Sequence, residues 1–446
     1  MPFFLLLQSI EKQAFWCVKV CILLICTDLK EAIRFMANFE GKNVIVGQSG
    51  GPTAVINSSL AGVYQTAKEL GAKKVYGMKY GIEGLLNSQV VALDSVLQSH
   101  MDIELLKRTP SSYLGSCRYK LPSMEENPQV YEKLFAILEE LEIGACFYIG
   151  GNDSMDTINK LSAWGAKINS PIRFIGVPKT IDNDLELTDH TPGFGSAAKY
   201  IATILKEIIR DSTVYDLRSV TVVEIMGRNA GWLTGAACLA KGDDCDGADM
   251  ILLPEVALDP EDFIKKVDEL QKHKSSVIIA VSEGVKLADG RYVCELVSEA
   301  KTDAFGHKAA LSGTGRYLAD LISNRIGCKA RAIEFSTLQR CAAHVASRTD
   351  ITEAYQAGGA AVKAAFDGQT GKMASFKRAS EMPYQCHIEM VNVCDVANKE
   401  KPVPRSWITE DGYNVTNEFR AYVRPLIQAE LTPIYIDGTP RHICLK

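Results

Sequence analysis

The sequence predicts an α/β protein of two doubly wound, Rossmann-like domains with mostly parallel sheets and a site in the cleft between them. From Lys42 onward, short β-branched runs alternate with helical stretches, the strand–helix repetition that builds parallel sheets. The runs are almost continuously apolar, as strands covered on both faces require. At 446 residues the chain exceeds a single hydrophobic core. In order, strands are expected over 43–47, 74–77, 145–149, 172–177, 219–225, 250–253 and 276–281. Helices are expected over 54–70, 154–164, 196–210, 261–273 and 313–325, each with apolar residues at helical spacing. Beyond about Met382 the sequence turns irregular, with Pro383, Pro402 and Pro404 among scattered polar residues, and reads as an extension packed on the core.

Composition narrows the partners. A net charge of -5, from 49 basic and 54 acidic residues mixed along the chain, offers no footprint for nucleic acid. The 13 cysteines are scattered, with no Cys-x-x-Cys pair, and read as reduced thiols of a cytoplasmic protein. The apolar run 14–26 is interrupted by Lys19 and is too short for the roughly 20 residues that span a bilayer, so no membrane is expected. Met36 leads straight into the first strand, which makes it a candidate start and residues 1–35 a candidate mistranslation.

In doubly wound sheets ligands bind beyond the carboxyl ends of strands, so the polar residues there carry the chemistry. The first strand ends in Gly47-Gln48-Ser49-Gly50-Gly51 ahead of a helix, which sets free amides beside flexible glycines as a phosphate cradle. No Gly-Lys-Ser/Thr follows, so it is not a Walker loop. A second strand ends in Gly150-Gly151-Asn152-Asp153-Ser154, where glycines and an acidic turn suit phosphate and magnesium, though Asp153 or Ser154 also suits a helix cap. A third ends in Pro178-Lys179-Thr180-Ile181-Asp182-Asn183-Asp184: paired carboxylates suit proton acceptance, and a nearby ammonium stabilises a transferring phosphoryl group. Gly193-Phe194-Gly195-Ser196-Ala197-Ala198 imitates the dinucleotide fingerprint, but the polar segment before it is no buried strand, so a turn is expected. Later come Met226-Gly227-Arg228, Ser282-Glu283-Gly284, Arg331 and Leu338-Gln339-Arg340, whose arginines suit a sugar phosphate.

Together and in this order, these motifs resemble the phosphofructokinase family, from Gly47 to roughly Ala365. The resemblance implies that Asp182 accepts the proton of the sugar 1-hydroxyl, supported by Asp184, with Lys179, Asp153 and Arg228 completing the catalytic set. It places the donor phosphates on Gly50, Gly51, Arg118, Asp153 and Lys179. Fructose 6-phosphate falls to Thr180, Ile181, Asp182, Met226, Gly227, Arg228, Glu283, Thr337 and Arg340, while Arg331 reaches into a neighbouring subunit's sugar site and Arg218 is a second candidate for that role. At least a homodimer is implied. So is a division into a donor-phosphate domain (41–193 with 339–385), a sugar-phosphate domain (194–338) and extensions at 1–40 and 386–446.

Departures from the common ATP-using type bear on the donor. Asp153 and Lys179 stand where ATP-using members typically carry glycine, and both point to pyrophosphate: the carboxylate repels an ATP α-phosphate and the ammonium balances the smaller donor. Asn152 stands where a magnesium-associated aspartate is usual, which shifts the expected Mg2+ contact toward Asp153, with Asn152 holding a bound water. Thr337 replaces a sugar-binding histidine but keeps a hydrogen-bonding group. The alternatives are an ATP-dependent enzyme and a catalytically silent sugar-phosphate-binding subunit; Asp182, Asp184 and Arg228 argue against silence.

Overall fold

The protein is described by a computed structural model over residues 42–296 and 312–445. The apolar run 14–26 and the candidate start at Met36 lie outside the described residues. Among the described residues, eleven strands build the two main sheets: β1 (Asn43–Gln48), β2 (Val75–Met78), β3 (Val90–Ala92), β4 (Ile143–Gly150), β5 (Arg173–Pro178), β6 (Ser219–Ile225), β7 (Met250–Leu252), β8 (Ser276–Ser282), β9 (Lys329–Glu334), β10 (Lys372–Glu381) and β11 (Tyr384–Asn392). The first sheet has the order β11-β10-β5-β4-β1-β2-β3 and the second β7-β8-β6-β9. Every pairing is parallel except those of the edge strands β3 and β11.

Alternate residues of the central strands feed cores on opposite faces, which is what makes both sheets doubly wound. Val44 and Val46 of β1 pack in one cluster, whereas Ile45 packs with Tyr148 and Phe174 in another. In the second sheet Val223 and Ile225 face one core and Val220 and Val222 the other. All seven expected strands form, and the expected helices appear as α1 (Ile56–Glu69), α2 (Asn152–Lys167), α3 (Phe194–Ser212), α4 (Pro260–Gln271) and α5 (Thr314–Ile326). A further long helix, α6 (Arg348–Phe366), packs along α1.

The α1–α6 contact depends on missing side chains. A Cβ on Gly62 would lie 2.0 Å from the Tyr355 carbonyl oxygen, and one on Gly358 would lie 2.2 Å from that of Ser59. Gly62→Ala therefore has to push two backbones apart, and a loss of about 1–3 kcal/mol is expected, read from the denaturant midpoint. An unchanged midpoint would contradict this packing.

Two expectations need correction. The stretch after Met382 is not irregular at first: Tyr384–Asn392 pairs antiparallel with β10 as the edge of the first sheet, so this hairpin crosses the expected domain boundary at 385/386. Its side chains alternate in exposure, as on a half-covered edge strand, and Pro383 hid that period. Strands β3, β9 and β10 lie outside the expected set as well: β3 has three half-buried residues, β9 is a polar edge strand without the apolar run of a buried one, and β10 is buried only over 373–376. At the dinucleotide-like sequence, Gly193 turns with φ +110° into α3. The amides of Gly193 and Ser196 there donate to the buried Asp350 carboxylate at 2.9 and 2.8 Å, so the chain's own anion fills the position a pyrophosphate would take. Among the described residues, no helix is long and apolar enough to cross a membrane.

Candidate active site

The carboxyl ends of β1, β4 and β5 in the first sheet and of β6 and β8 in the second open on one cleft of about 640 Å³. On the first-sheet side its base is glycine. The turn after β1 is held where the Gly50 amide donates to the Cys117 carbonyl at 3.3 Å and Ser116 Oγ to the Gly50 carbonyl at 2.6 Å, which brings Arg118 to the same wall. The turn after β4 has no room for a side chain at Gly150, where a Cβ would meet Ser154 Oγ at 1.8 Å. Helix α2 therefore starts at once and presents its free amides and positive end to the cleft.

Lys179, directly after β5, is 2% exposed, and its Nζ donates to the Gly51 carbonyl at 2.7 Å. Nζ lies 3.3 Å from where a Gly50 Cβ would be, and Arg340 Nη1 lies 3.2 Å from where a Gly51 Cβ would be. Two cations thus sit over the glycine turn, an arrangement made for anionic oxygens. Burial pushes the Lys179 amine down to about 8; the Asp182 carboxylate resists that push and the Arg340 charge adds to it.

Asp182 and Asp184 line the cleft beside this ammonium. The Asp182 amide donates to Thr180 Oγ1 at 3.1 Å, and Asn183, left-handed at φ 57°, is fixed by donating to the Tyr422 hydroxyl at 2.8 Å and accepting from the Thr191 amide at 3.0 Å. Enclosure by protein raises the Asp182 carboxyl above the ordinary range, opposed first by Lys179 and then by Arg228. Burial, then the charges of Asp182 and Glu400, push Asp184 up to about 7.

The second sheet supplies the opposite wall. Ser282 Oγ donates to the Gly227 carbonyl at 2.6 Å and the Glu283 amide to the Ile225 carbonyl at 2.9 Å, which interlocks the two loops. Arg228 is laid across Gly284 so closely that a Cβ there would sit 1.8 Å from the Arg228 carbonyl oxygen. Arg228 lines the cleft, and its Nε is buried with no hydrogen-bond partner. Burial, followed by the Asp182 charge, raises Glu283 to about 8.

Of the residues singled out in the sequence, Gly50, Gly51, Arg118, Asn152, Asp153, Lys179, Thr180, Ile181, Asp182, Asp184, Met226, Arg228, Glu283 and Arg340 converge on this cleft. Gly227 lies just behind it, its amide 3.4 Å from Glu283 Oε1. Arg331, on the edge strand β9, and Thr337 are exposed and do not line it, and Arg218 is spent on Gln271 Oε1 at 3.0 Å. Lining residues without a sequence signal include Tyr119, Asn229, Ala230, Asn398 and Glu400. The last two arrive from the tail, and only the three-dimensional path of the chain reveals them.

A glycine-based anion site with paired carboxylates beside it, faced by Arg228 and Glu283 of the second sheet, is arranged for phosphoryl transfer, which needs positioning and charge more than covalent catalysis. The chain belongs to the phosphofructokinase family, whose profile matches residues 43–365. It is 41% identical over 413 residues to the pyrophosphate–fructose 6-phosphate 1-phosphotransferase of Methylococcus capsulatus, covering 91% of this chain and 96% of the relative. It is 41% identical over 403 residues to the Halomonas elongata protein of the same name, covering 90% and 95%. The crystal structure of the pyrophosphate-dependent phosphofructokinase from Nitrosospira multiformis superposes with a TM-score of 0.81 at 39% identity, covering 91% of this chain and 96% of that one.

Proposed function

We propose that this protein transfers a phosphoryl group reversibly from pyrophosphate to the 1-hydroxyl of fructose 6-phosphate, giving fructose 1,6-bisphosphate and phosphate, as a cytoplasmic step of glycolysis and gluconeogenesis. The observation that carries the donor assignment is the buried Lys179 ammonium over the Gly50–Gly51 turn. Pyrophosphate seats on that turn and on the α2 amides, with Arg118 and Arg340 on its outer oxygens. Asp153, exposed in the first turn of α2, repels the further phosphate of a nucleotide. Fructose 6-phosphate lies against Met226, Arg228 and Glu283, and its 1-hydroxyl gives its proton to Asp182 as the phosphoryl group passes. Asp184, raised to about 7 by burial and by the charges of Asp182 and Glu400, lies close enough for its own charge to favour the protonated form of Asp182.

Mg2+ fits this cleft. Among the described residues, no group of three or more His, Cys, Asp or Glu could hold a metal alone, but magnesium commonly binds through one or two carboxylates plus substrate phosphates. Both substrates bring negative charge into a cleft whose cations Arg118, Lys179, Arg228 and Arg340 already face carboxyl groups, so a divalent cation balances the donor phosphates. Asp153 is the residue placed to hold it, because both ends of the Asn152 amide are bonded to the backbone at 398 and 399. When bound, the ion neutralises charge on the donor phosphates.

The exposed Arg331 fits a residue lent to a neighbouring subunit, which supports a homodimer or larger assembly. Mixing inactive Arg331→Ala and Asp182→Ser proteins is expected to restore part of the activity in hybrid oligomers. A mixture as inactive as its components would remove the shared-site role.

The same geometry predicts a bell-shaped dependence of kcat/KM for pyrophosphate on pH, which reports the free enzyme. Activity rises above the ordinary carboxylate range as Asp182 ionises and falls as the pH passes the Lys179 value of about 8, where the ammonium is lost. A profile still flat well above 8 would contradict the role of Lys179. Gly284→Ala is expected to displace Arg228 and raise KM for fructose 6-phosphate at least about tenfold, with pyrophosphate KM much less affected. Equal effects on the two substrates would sink the division of the cleft into donor and sugar walls.

A further inference from the structure

The tail enters the active site in four consecutive residues, which between them bond to α2, to the Asp182–Asp184 loop and to the sugar wall. Asn398, left-handed at φ 61°, donates its amide to Asn152 Oδ1 at 2.6 Å and its Nδ2 to Asp156 Oδ1 at 3.1 Å, both on the first turns of α2. The Lys399 carbonyl accepts from Asn152 Nδ2. Glu400 Oε1 accepts from Nδ2 of Asn229, next to Arg228 on the sugar wall, at 2.9 Å. The Lys401 amide donates to the Asp184 carbonyl at 2.8 Å, and its Nζ donates to the carbonyls of Thr188 and Asp189 at 2.8 and 2.9 Å. Trp232 Nε1, from the second-sheet side, closes the set on the Lys401 carbonyl at 2.8 Å.

We propose that residues 398–401 form a clasp that fixes the spacing between the donor turn, the Asp182–Asp184 loop and the sugar loop, with Glu400 as its positioning residue and the amide of Asn152 as its anchor. This inference rests on the reaction proposed above, because it assigns the clasp the task of holding two substrates in line. It also explains the departure at position 152. The clasp presents an amide hydrogen and a carbonyl oxygen to that side chain, and only a carboxamide answers both. An aspartate would accept from Asn398 but would set its second oxygen against the Lys399 carbonyl. Glu400 bridges the remaining gap: its donor partner is on the second-sheet loop, while its own backbone is held to α2 and to the Asp182–Asp184 loop. The carboxylate also lines the shared cleft near enough to Asp184 for its charge to help raise it.

The test compares three variants of the full chain. Glu400→Ala cuts the bond to Asn229 and is expected to lower kcat/KM in both substrates by roughly ten- to a hundredfold, since small misplacements of aligned reactants have effects of this size. Glu400→Gln still accepts from Asn229 and is expected to recover to within about threefold of the parent. Asn152→Asp is expected to speed hydrogen–deuterium exchange at Lys399–Lys401 while exchange in β1 and β4 stays unchanged, which separates a loosened clasp from a misfolded chain. If Glu400→Gln loses as much as Glu400→Ala, Glu400 acts through its charge and the clasp is overturned. It is also overturned if Asn152→Asp leaves exchange unaltered. The exchange measurement needs no turnover, so a parent protein inactive with pyrophosphate would sink the proposed reaction and leave the clasp to be judged separately.

Discussion

Asp182→Ser is expected to lower kcat by about 10²–10⁴-fold, the range for losing a positioned general base, while fructose 6-phosphate still binds. The contrast follows from where the binding groups sit: Met226, Arg228 and Glu283 come from loops of the second sheet, which the substitution does not touch. A second readout distinguishes loss of the base from general damage. Asp182 is the leading charge that keeps the buried Lys179 protonated against desolvation, so its removal drops the Lys179 amine further below its value of about 8. The alkaline limb of the residual activity should move to lower pH. Near-normal rates in this variant, measured beside direct sugar-phosphate binding, would remove Asp182 from its role.

Lys179→Gly is expected to reduce kcat/KM for pyrophosphate by about 10²–10³-fold, the cost of removing one preorganised donor aimed at developing charge. Lys179 is the largest influence holding the enclosed Asp182 carboxyl down, so the acid limb should also rise. Asp153→Gly is expected to be milder, because that carboxylate is exposed, its field is screened by water and salt, and the donor phosphates remain to hold Mg2+ when its contact is lost. The order of the two effects is informative. A larger loss from Asp153→Gly than from Lys179→Gly would mean that pyrophosphate use rests on the carboxylate and its Mg2+ contact rather than on the buried cation.

The fold was legible wherever strands are covered on both faces. β1, β4, β5, β6 and β8 read as apolar runs ending in glycine or polar turns, and those turns do meet in one cleft. What escaped were elements whose environment is only half apolar. β9 reads Lys-Ala-Arg-Ala-Ile-Glu and is open to solvent, and β11 alternates residue by residue behind a proline. The tail's contribution was illegible for another reason. Asn398 and Glu400 carry no local pattern, and their meaning depends on where α2 and the Arg228 loop stand in space. Asn152 shows the same limit from the other side, since its sequence position suggested a metal whereas its amide is engaged by residues some 250 positions away, at Asn398 and Lys399.

The most direct measurement is initial-rate turnover of purified protein with fructose 6-phosphate and Mg2+, supplied with either pyrophosphate or ATP. Pyrophosphate should support formation of fructose 1,6-bisphosphate, phosphate should drive the reverse reaction, and ATP should be a poor donor. Turnover with ATP and none with pyrophosphate would contradict the roles given to Lys179 and Asp153.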